Sequence, residues 1–302
     1  MIAGLLLIFI PLILGYCLSL SNPKHLYIVN KATLLLIVGV LTLMGISLAN
    51  LDNIMLNIRT IAVIVTIFSG SILVLNLIGL YYLSKKIVVN TVHSSTSHTN
   101  MFAMVFQSLK LIGYVVAGFV IGVLIPIPPS IVESASEGLL MLLLLLIGIE
   151  LRNSGISLRQ ILLNKAGLAI TCVIYITSWC GGIIAAYILS LPLSQGLAMA
   201  SGFGWYTLSG ILIGDLYGPV YGGAAFINEL FRELLALILI PVLIRTKPLC
   251  AIGIGGATSM DFTLPVIQTH GGAQLVPIAI VSGFLLSLSV PVFTLLFSSL
   301  PF

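Results

Sequence analysis

Apolar positions along this chain come in long unbroken runs, not in the two-residue alternation of half-buried strands or the one-sided stripe of surface helices. The runs lie near 2–20, 32–51, 60–83, 110–127, 136–151, 166–190, 223–244 and 274–298. About 20 apolar residues span a bilayer as helix, and backbone inside lipid must satisfy its own hydrogen bonds. The runs therefore predict transmembrane helices. The first run has no basic segment before it and no small-residue cleavage site, so it reads as a retained helix. The fifth, "GLLMLLLLLIGIEL", is short, and Glu133 and Glu137 just upstream are expected in a solvated external loop. The stretch 87–108 is rich in Ser, Thr and His and predicts a surface loop carrying His93 and His98.

Two further apolar segments are interrupted. "GLAMASGFGWYTLSGILIGDLYG" (196–218) and "AIGIGGATSMDFTLPVI" (251–267) both hold Gly and hydroxyl residues at their centres. Such sequences do not favour a continuous helix. Broken backbone at membrane depth is tolerated where it is buried in protein or lines a cavity.

Composition agrees with a membrane protein: of 302 residues, 59% are hydrophobic and 7% charged, where a soluble domain is about a quarter charged. The few cations also report topology. With the N-terminus outside and both broken segments re-entrant, ten Lys/Arg fall inside and only Arg59 outside, Arg232 lying within a span. If both segments cross fully, Arg245 and Lys247 move outside and the contrast falls to eight against three. The excess of cytoplasmic cations favours the first arrangement. It has eight transmembrane helices plus two re-entrant, broken hairpins, with both termini outside. Ten passes with broken crossing helices is the alternative. The net charge of +4 is then topological and implies no nucleic-acid partner. Cys17, Cys172, Cys180 and Cys250 are scattered without metal-ligand spacing and are expected to be free and buried.

The chain also repeats itself. "MGISLANLDNIMLNIR" at Met44 and "IGIELRNSGISLRQ" at Ile147 lie 103 residues apart, each at the end of the second span of a three-span unit. Three is odd, so the two units are inverted. The broken segments share Thr207-Leu208 and Thr263-Leu264, and each precedes a long span. Residues 1–190 thus read as two inverted three-helix repeats, and 191–302 as two inverted hairpin-plus-helix repeats forming a transport site. Inverted repeats with broken helices meeting near the midplane point to a secondary transporter.

Charged side chains are costly in the membrane and invite a functional reading. Asp52, Glu229, Glu233 and Asp261 stand out among the eight acids. In "NELFRELLALILIP" Glu229 and Glu233 are four residues apart on one helix face, and Arg232 is three from Glu229. One Glu–Arg pair at the start of a helix leaves one acid over, with Glu233 the deeper. A carboxylic acid taken out of water holds a proton more readily, which suits a proton carrier. Asp261, beside Thr258, Ser259 and Thr263, suits a cation at the second hairpin tip. Tyr206, Thr207 and Ser209, with Trp205 and the exposed helix ends of the first hairpin, suit a carboxylate. Acids for a cation and donors for an anion together fit a zwitterionic, net cationic solute such as a basic amino acid.

The segments "LMGISLANLDN", "GIELRNSGISLRQILLNKAG", "LAMASGFGWYTLSGIL", "NELFRELLALILIP" and "GATSMDFTLPV" together resemble the LysO-type L-lysine exporter family, in order and over nearly the whole chain. The resemblance implies a bacterial inner-membrane exporter of L-lysine and its toxic analogues, coupled to protons, with Asp52 and Glu233 as the acids of the cycle; no cofactor is expected. Glu150 departs from the pattern, where a neutral residue is expected in "GIxLRN". A sodium-coupled transporter of another small organic solute, with Na⁺ held at "GGATS", is the main alternative. An intramembrane aspartyl protease would need a second aspartate paired with Asp215, and no Tyr-Asp partner motif is present. A homodimer is left open as a further expectation.

Overall fold

A computed structural model describes residues 2–20, 23–50, 54–87, 89, 101–125, 127–153 and 164–301. Among these every regular element is helical. In chain order they are α1 (Ile2–Cys17), α2 (Pro23–Ala49), α3 (Ile54–Lys86), α4 (Met101–Leu124), α5 (Pro129–Arg152), α6 (Lys165–Leu189), α7 (Leu193–Met199), α8 (Tyr206–Tyr217), α9 (Pro219–Leu243), α10 (Pro248–Gly255), α11 (Leu264–Gly271) and α12 (Val276–Ser298). Short 3₁₀ turns occupy Ala200–Gly202, Gly256–Met260 and Ala273–Leu275. All eight apolar runs fall on long helices, α1 to α6, α9 and α12. Among the described residues, five stretches are long and apolar enough to cross a bilayer: Lys24–Ala49, Leu56–Lys86, Pro129–Glu150, Lys165–Leu189 and Ala273–Ser298. The chain is a multi-pass helical membrane protein. Its exposed large side chains fit that medium, since Ile13, Ile58, Ile176, Tyr187 and Val242 all point outward.

Several boundaries differ from expectation, for physical reasons. Pro129 starts α5, because proline's missing N–H costs nothing at a first turn. Glu137 is consequently an exposed helical residue, and Glu133 also lies on that helix, not in a loop. Residues 101–108 of the supposed polar loop are the first turns of α4, while His93 and His98 lie outside the described residues. The cysteines are free, but Cys17, Cys172 and Cys180 are exposed and only Cys250 is buried, an outcome that apolar surroundings permit.

The chain divides into two compact units. The first comprises Met1–Ile61, Leu109–Ile156 and Gly210–Gly223, the second Ala62–Ser108, Ser157–Ser209 and Ala224–Phe302. In the first unit α5 packs on α1 and α2, and two helix crossings are close enough to exclude side chains. A Cβ on Gly148 would run into Leu12 O and Tyr16 N of α1, and one on Gly15 into Leu145 O of α5. At the second crossing a Cβ on Gly45 of α2 would meet Val115 O and Phe119 N of α4, and one on Gly118 would meet Thr42 O. Each residue of one crossing lies 103 positions from its counterpart in the other. Asn50 and Asn153 share the same spacing: Asn50 donates to Ile127 O at 3.1 Å, and Asn153 to Leu18 O at 3.2 Å. Small residues at such crossings let helix backbones pack where lipid supplies no hydrophobic drive.

In the second unit α12 packs on α6, α7 and the Gly256–Met260 turn. Asn164 caps α6 by accepting from the Gly167 amide at 2.9 Å. Asn76 of α3 is buried and accepts from Thr177 Oγ1 of α6 at 2.5 Å. A stack of Tyr175, Trp179, Phe203, Phe293 and Phe297 joins α6, the first break and α12, with ring centroids 4.8–6.4 Å apart.

Candidate functional site

Both interrupted segments break where their sequences foretell. The first runs from α7 through a 3₁₀ turn to Phe203 and Gly204, at φ 47° and 100°, then into α8. The second runs from α10 to Gly256, at φ 61°, through a 3₁₀ turn to Asp261, then into α11. Left-handed backbone is open to glycine and strained for phenylalanine. The breaks meet: the Ala257 amide donates to Phe203 O at 2.8 Å.

Helix α9 crosses this meeting point, and its Glu229 and Arg232 sit there. Glu229 is 0% exposed, Glu233 1% and Arg232 6%. They occupy the middle of α9, not its mouth, because the helix starts at Pro219, ahead of the apolar run. Glu229 Oε2 accepts from the Gly204 amide at 2.5 Å, and Oε1 accepts from Asn228 Nδ2 at 2.9 Å. Asn228 Oδ1 in turn accepts from Ser69 Oγ at 2.7 Å. Arg232 Nη1 lies 3.7 Å from Glu229 Oε2, and a Cβ built on Gly256 would lie 3.1 Å from Arg232 Nη2. One carboxylate and one guanidinium thus face both breaks from a single helix. A buried ion pair repays its desolvation only when further hydrogen bonds complete it, and Gly204 and Asn228 provide these for Glu229.

The other expected site residues among the described ones lie on the two interrupted segments. Tyr206 stacks edge-on against Phe226. Thr207 and Ser209 are buried on α8. Ser259 donates to Gly256 O and Ala279 O, at 2.7 and 3.0 Å, and Thr263 donates to Thr258 O at 3.0 Å. Those two hydroxyls therefore close the second break on itself and onto α12. Asp261 is exposed, and its carboxylate accepts from the Phe262 amide at 2.5 Å. Asp52 lies outside the described residues. No cluster of three or more metal-ligating side chains exists among the described residues. Glu150 accepts from Thr33 Oγ1 at 2.6 Å, within the first unit. That unit also carries a cavity of about 480 Å³ whose polar lining includes Ser47, Asn50, Ser136, Glu137 and Asp215.

Sequence reasoning missed Asn228, Gly204, Gly256 and Asn76. Asn76 was detectable as a lone amide inside an apolar run. The glycines had only their broken context to mark them.

A buried acid–base set on a long helix, facing two helix breaks that meet, is the construction of a helical membrane transport protein. The comparisons with known proteins narrow this class. The family model described as "Lysine exporter LysO" matches residues 112–298. The chain is 46% identical over 299 residues to the lysine exporter LysO of Escherichia coli strain K12, covering 99% of this chain and 100% of that protein. It is 43% identical over 192 residues to a candidate lysine exporter of Haemophilus influenzae, covering 64% of this chain and 98% of that protein. No solved structure matches. The chain belongs to the LysO lysine exporter family.

Proposed function

We propose that this protein exports L-lysine and lysine analogues across the bacterial inner membrane by proton antiport. The observation that carries the reading is the burial of Glu229, Arg232 and Glu233 on one helix, with Glu229 against the first break and Arg232 against the second. Ionisable groups at membrane depth belong to substrate or ion pathways by default. Kinship with proteins named as lysine exporters supplies the substrate.

Glu229 is engaged with Gly204, Asn228 and Arg232 and ties the first break to α9. Glu233, one turn further along α9, is the proton carrier in this reading, with Asp52 as its partner acid and Asp261 as a cation-attracting group at the second break. Proton and substrate ammonium compete for these carboxylates. Lysine leaves outward as a proton enters, and the two broken segments gate opposite sides. The arrangement of eight spans and two re-entrant segments, as inverted repeats with both termini outside, is part of the same proposal. The matched spacing of the glycine crossings supports it.

The test uses the full chain in liposomes, with labelled L-lysine followed under an imposed proton gradient and then an imposed Na⁺ gradient. Proton-driven flux that Glu233→Gln abolishes is the expected result. Flux driven by Na⁺ and indifferent to Glu233→Gln would replace this mechanism with a sodium-coupled one.

A further inference from the structure

We infer that Arg232 is the seat of the transported amino acid's α-carboxylate; the inference rests on the lysine-export reading and adds a residue to it. Arg232 is 6% exposed, and neither Nη1 nor Nη2 donates a hydrogen bond to a described residue. A guanidinium is always charged and presents five N–H donors in a rigid fork. Donors of that kind are costly to bury unmatched.

Glu229 does not fill the fork. Its Oε2 stays 3.7 Å from Nη1, a charge neighbour beyond hydrogen-bond range, and is taken up by the Gly204 amide, while Oε1 is taken up by Asn228. Nη2 faces Gly256, where any Cβ would press on the guanidinium and on Phe203 O. The missing side chain lets the backbone of the second break pack against the fork without filling its donors.

The group that completes a guanidinium fork is planar, anionic and bidentate, which is to say a carboxylate. The residues around it say which carboxylate. Glu233 is the next residue on α9 and is equally buried, so an acid suited to an ammonium group lies on the same helix as the seat for the carboxylate. L-lysine carries both groups. Arg232 therefore distinguishes amino acids from plain diamines, a selection that the acids alone do not make.

The test compares lysine with 1,5-diaminopentane, which is lysine without its carboxylate. Each competes unlabelled against labelled L-lysine in proteoliposomes of the full chain. Wild type is expected to prefer lysine by about 10- to 100-fold, the range for hydrogen bonds to a charged group. Arg232→Gln is expected to weaken lysine until it matches the diamine, while the diamine shifts less than about threefold. Arg232→Lys keeps the charge without the fork, and is expected to give an intermediate preference in a protein that stays monodisperse even if Arg232→Gln does not. A preference unchanged in Arg232→Lys, or both competitors weakened equally in Arg232→Gln, overturns the inference and leaves Arg232 a structural partner of Glu229. A wild type that carries lysine but treats the diamine as its equal overturns this inference alone. A wild type that carries no lysine overturns the export reading with it.

Discussion

The Gly204 amide and the Glu229 carboxylate, 2.5 Å apart, tie the first helix break to the middle of α9. Gly204 has left-handed φ and sits just past the 3₁₀ turn Ala200–Gly202, so its N–H has no helical acceptor. Glu229 supplies one, and Arg232 and Asn228 balance the charge that this brings into the interior.

That balance predicts strong coupling. Glu229→Ala leaves the Gly204 amide without its acceptor and Arg232 without its counter-charge. Breaking one side of a buried pair costs roughly 3–5 kcal/mol. Arg232→Ala is expected to cost a similar amount, by stranding Glu229. The double variant should lose much less than the sum, because no lone charge is left. Thermal melting in detergent of the three variants measures this, and additive losses would show that the two side chains do not act as a pair.

Gly256 gives a second prediction, at the second break. Its φ of 61° already strains any other residue, by roughly 1–3 kcal/mol. A methyl group there also presses on Phe203 O and approaches Arg232 Nη2 at 3.1 Å. Gly256→Ala is expected to loosen the Ala257–Phe203 bond and to lower transport at least tenfold, while the protein still inserts. The pair of readings is flux in proteoliposomes and abundance in the membrane fraction. Full flux at normal abundance would mean that the breaks need not touch.

Much of this architecture is legible in the sequence. The long helices follow from apolar runs, since lipid leaves the backbone few alternatives. The breaks follow from "SGFG" and "GIGGATS", and the Glu229–Arg232 pair follows from their three-residue spacing. What is not legible is long-range contact. Nothing local says that Phe203 accepts from Ala257, or that Glu229 reaches back 25 residues to Gly204. The helices also outrun the apolar stretches. Glu137 is polar yet helical, because a helix end in water keeps its internal hydrogen bonds at little cost, and residues 101–108, mostly apolar, open α4 although they follow a polar stretch. For the same reason Glu229 and Glu233 belong to the middle of α9, although the hydrophobic pattern places them at its start.

Glu150 supplies a third prediction, in the first unit. It is a half-buried acid, and Thr33 Oγ1 donates to it at 2.6 Å. Glu150→Gln keeps an acceptor oxygen for Thr33 and is expected to be nearly neutral in stability. Thr33→Val removes the donor from a half-buried carboxylate, at a cost of about 1–3 kcal/mol. Adding Glu150→Gln to Thr33→Val should recover most of the loss, because the neutral amide is cheaper to leave without that donor. Melting curves of the three proteins decide it. A stability in Thr33→Val equal to wild type would mark the bond as incidental.

The last prediction concerns the two glycine crossings. Gly148 with Gly15 and Gly45 with Gly118 make the same contacts at a spacing of 103 residues. If the three-helix units are repeats, equivalent substitutions should cost equal amounts. Gly→Ala inside an isolated helix would stabilise by about 1 kcal/mol through backbone propensity. Here the added Cβ meets backbone oxygen of the facing helix, which cannot swing aside as a side-chain tip can. Overpacking of that kind costs roughly 1–3 kcal/mol, so the net effect is expected to be destabilising at both crossings. Gly45→Ala and Gly148→Ala should therefore lower the melting temperature by similar amounts. Gly113, also within a helix, has nothing within 4 Å of a Cβ built on it, so Gly113→Ala serves as the control and should hold or raise stability. A gain at either crossing would show that the backbones do not approach that closely. A large loss at one and none at the other would break the equivalence on which the inverted-repeat reading rests.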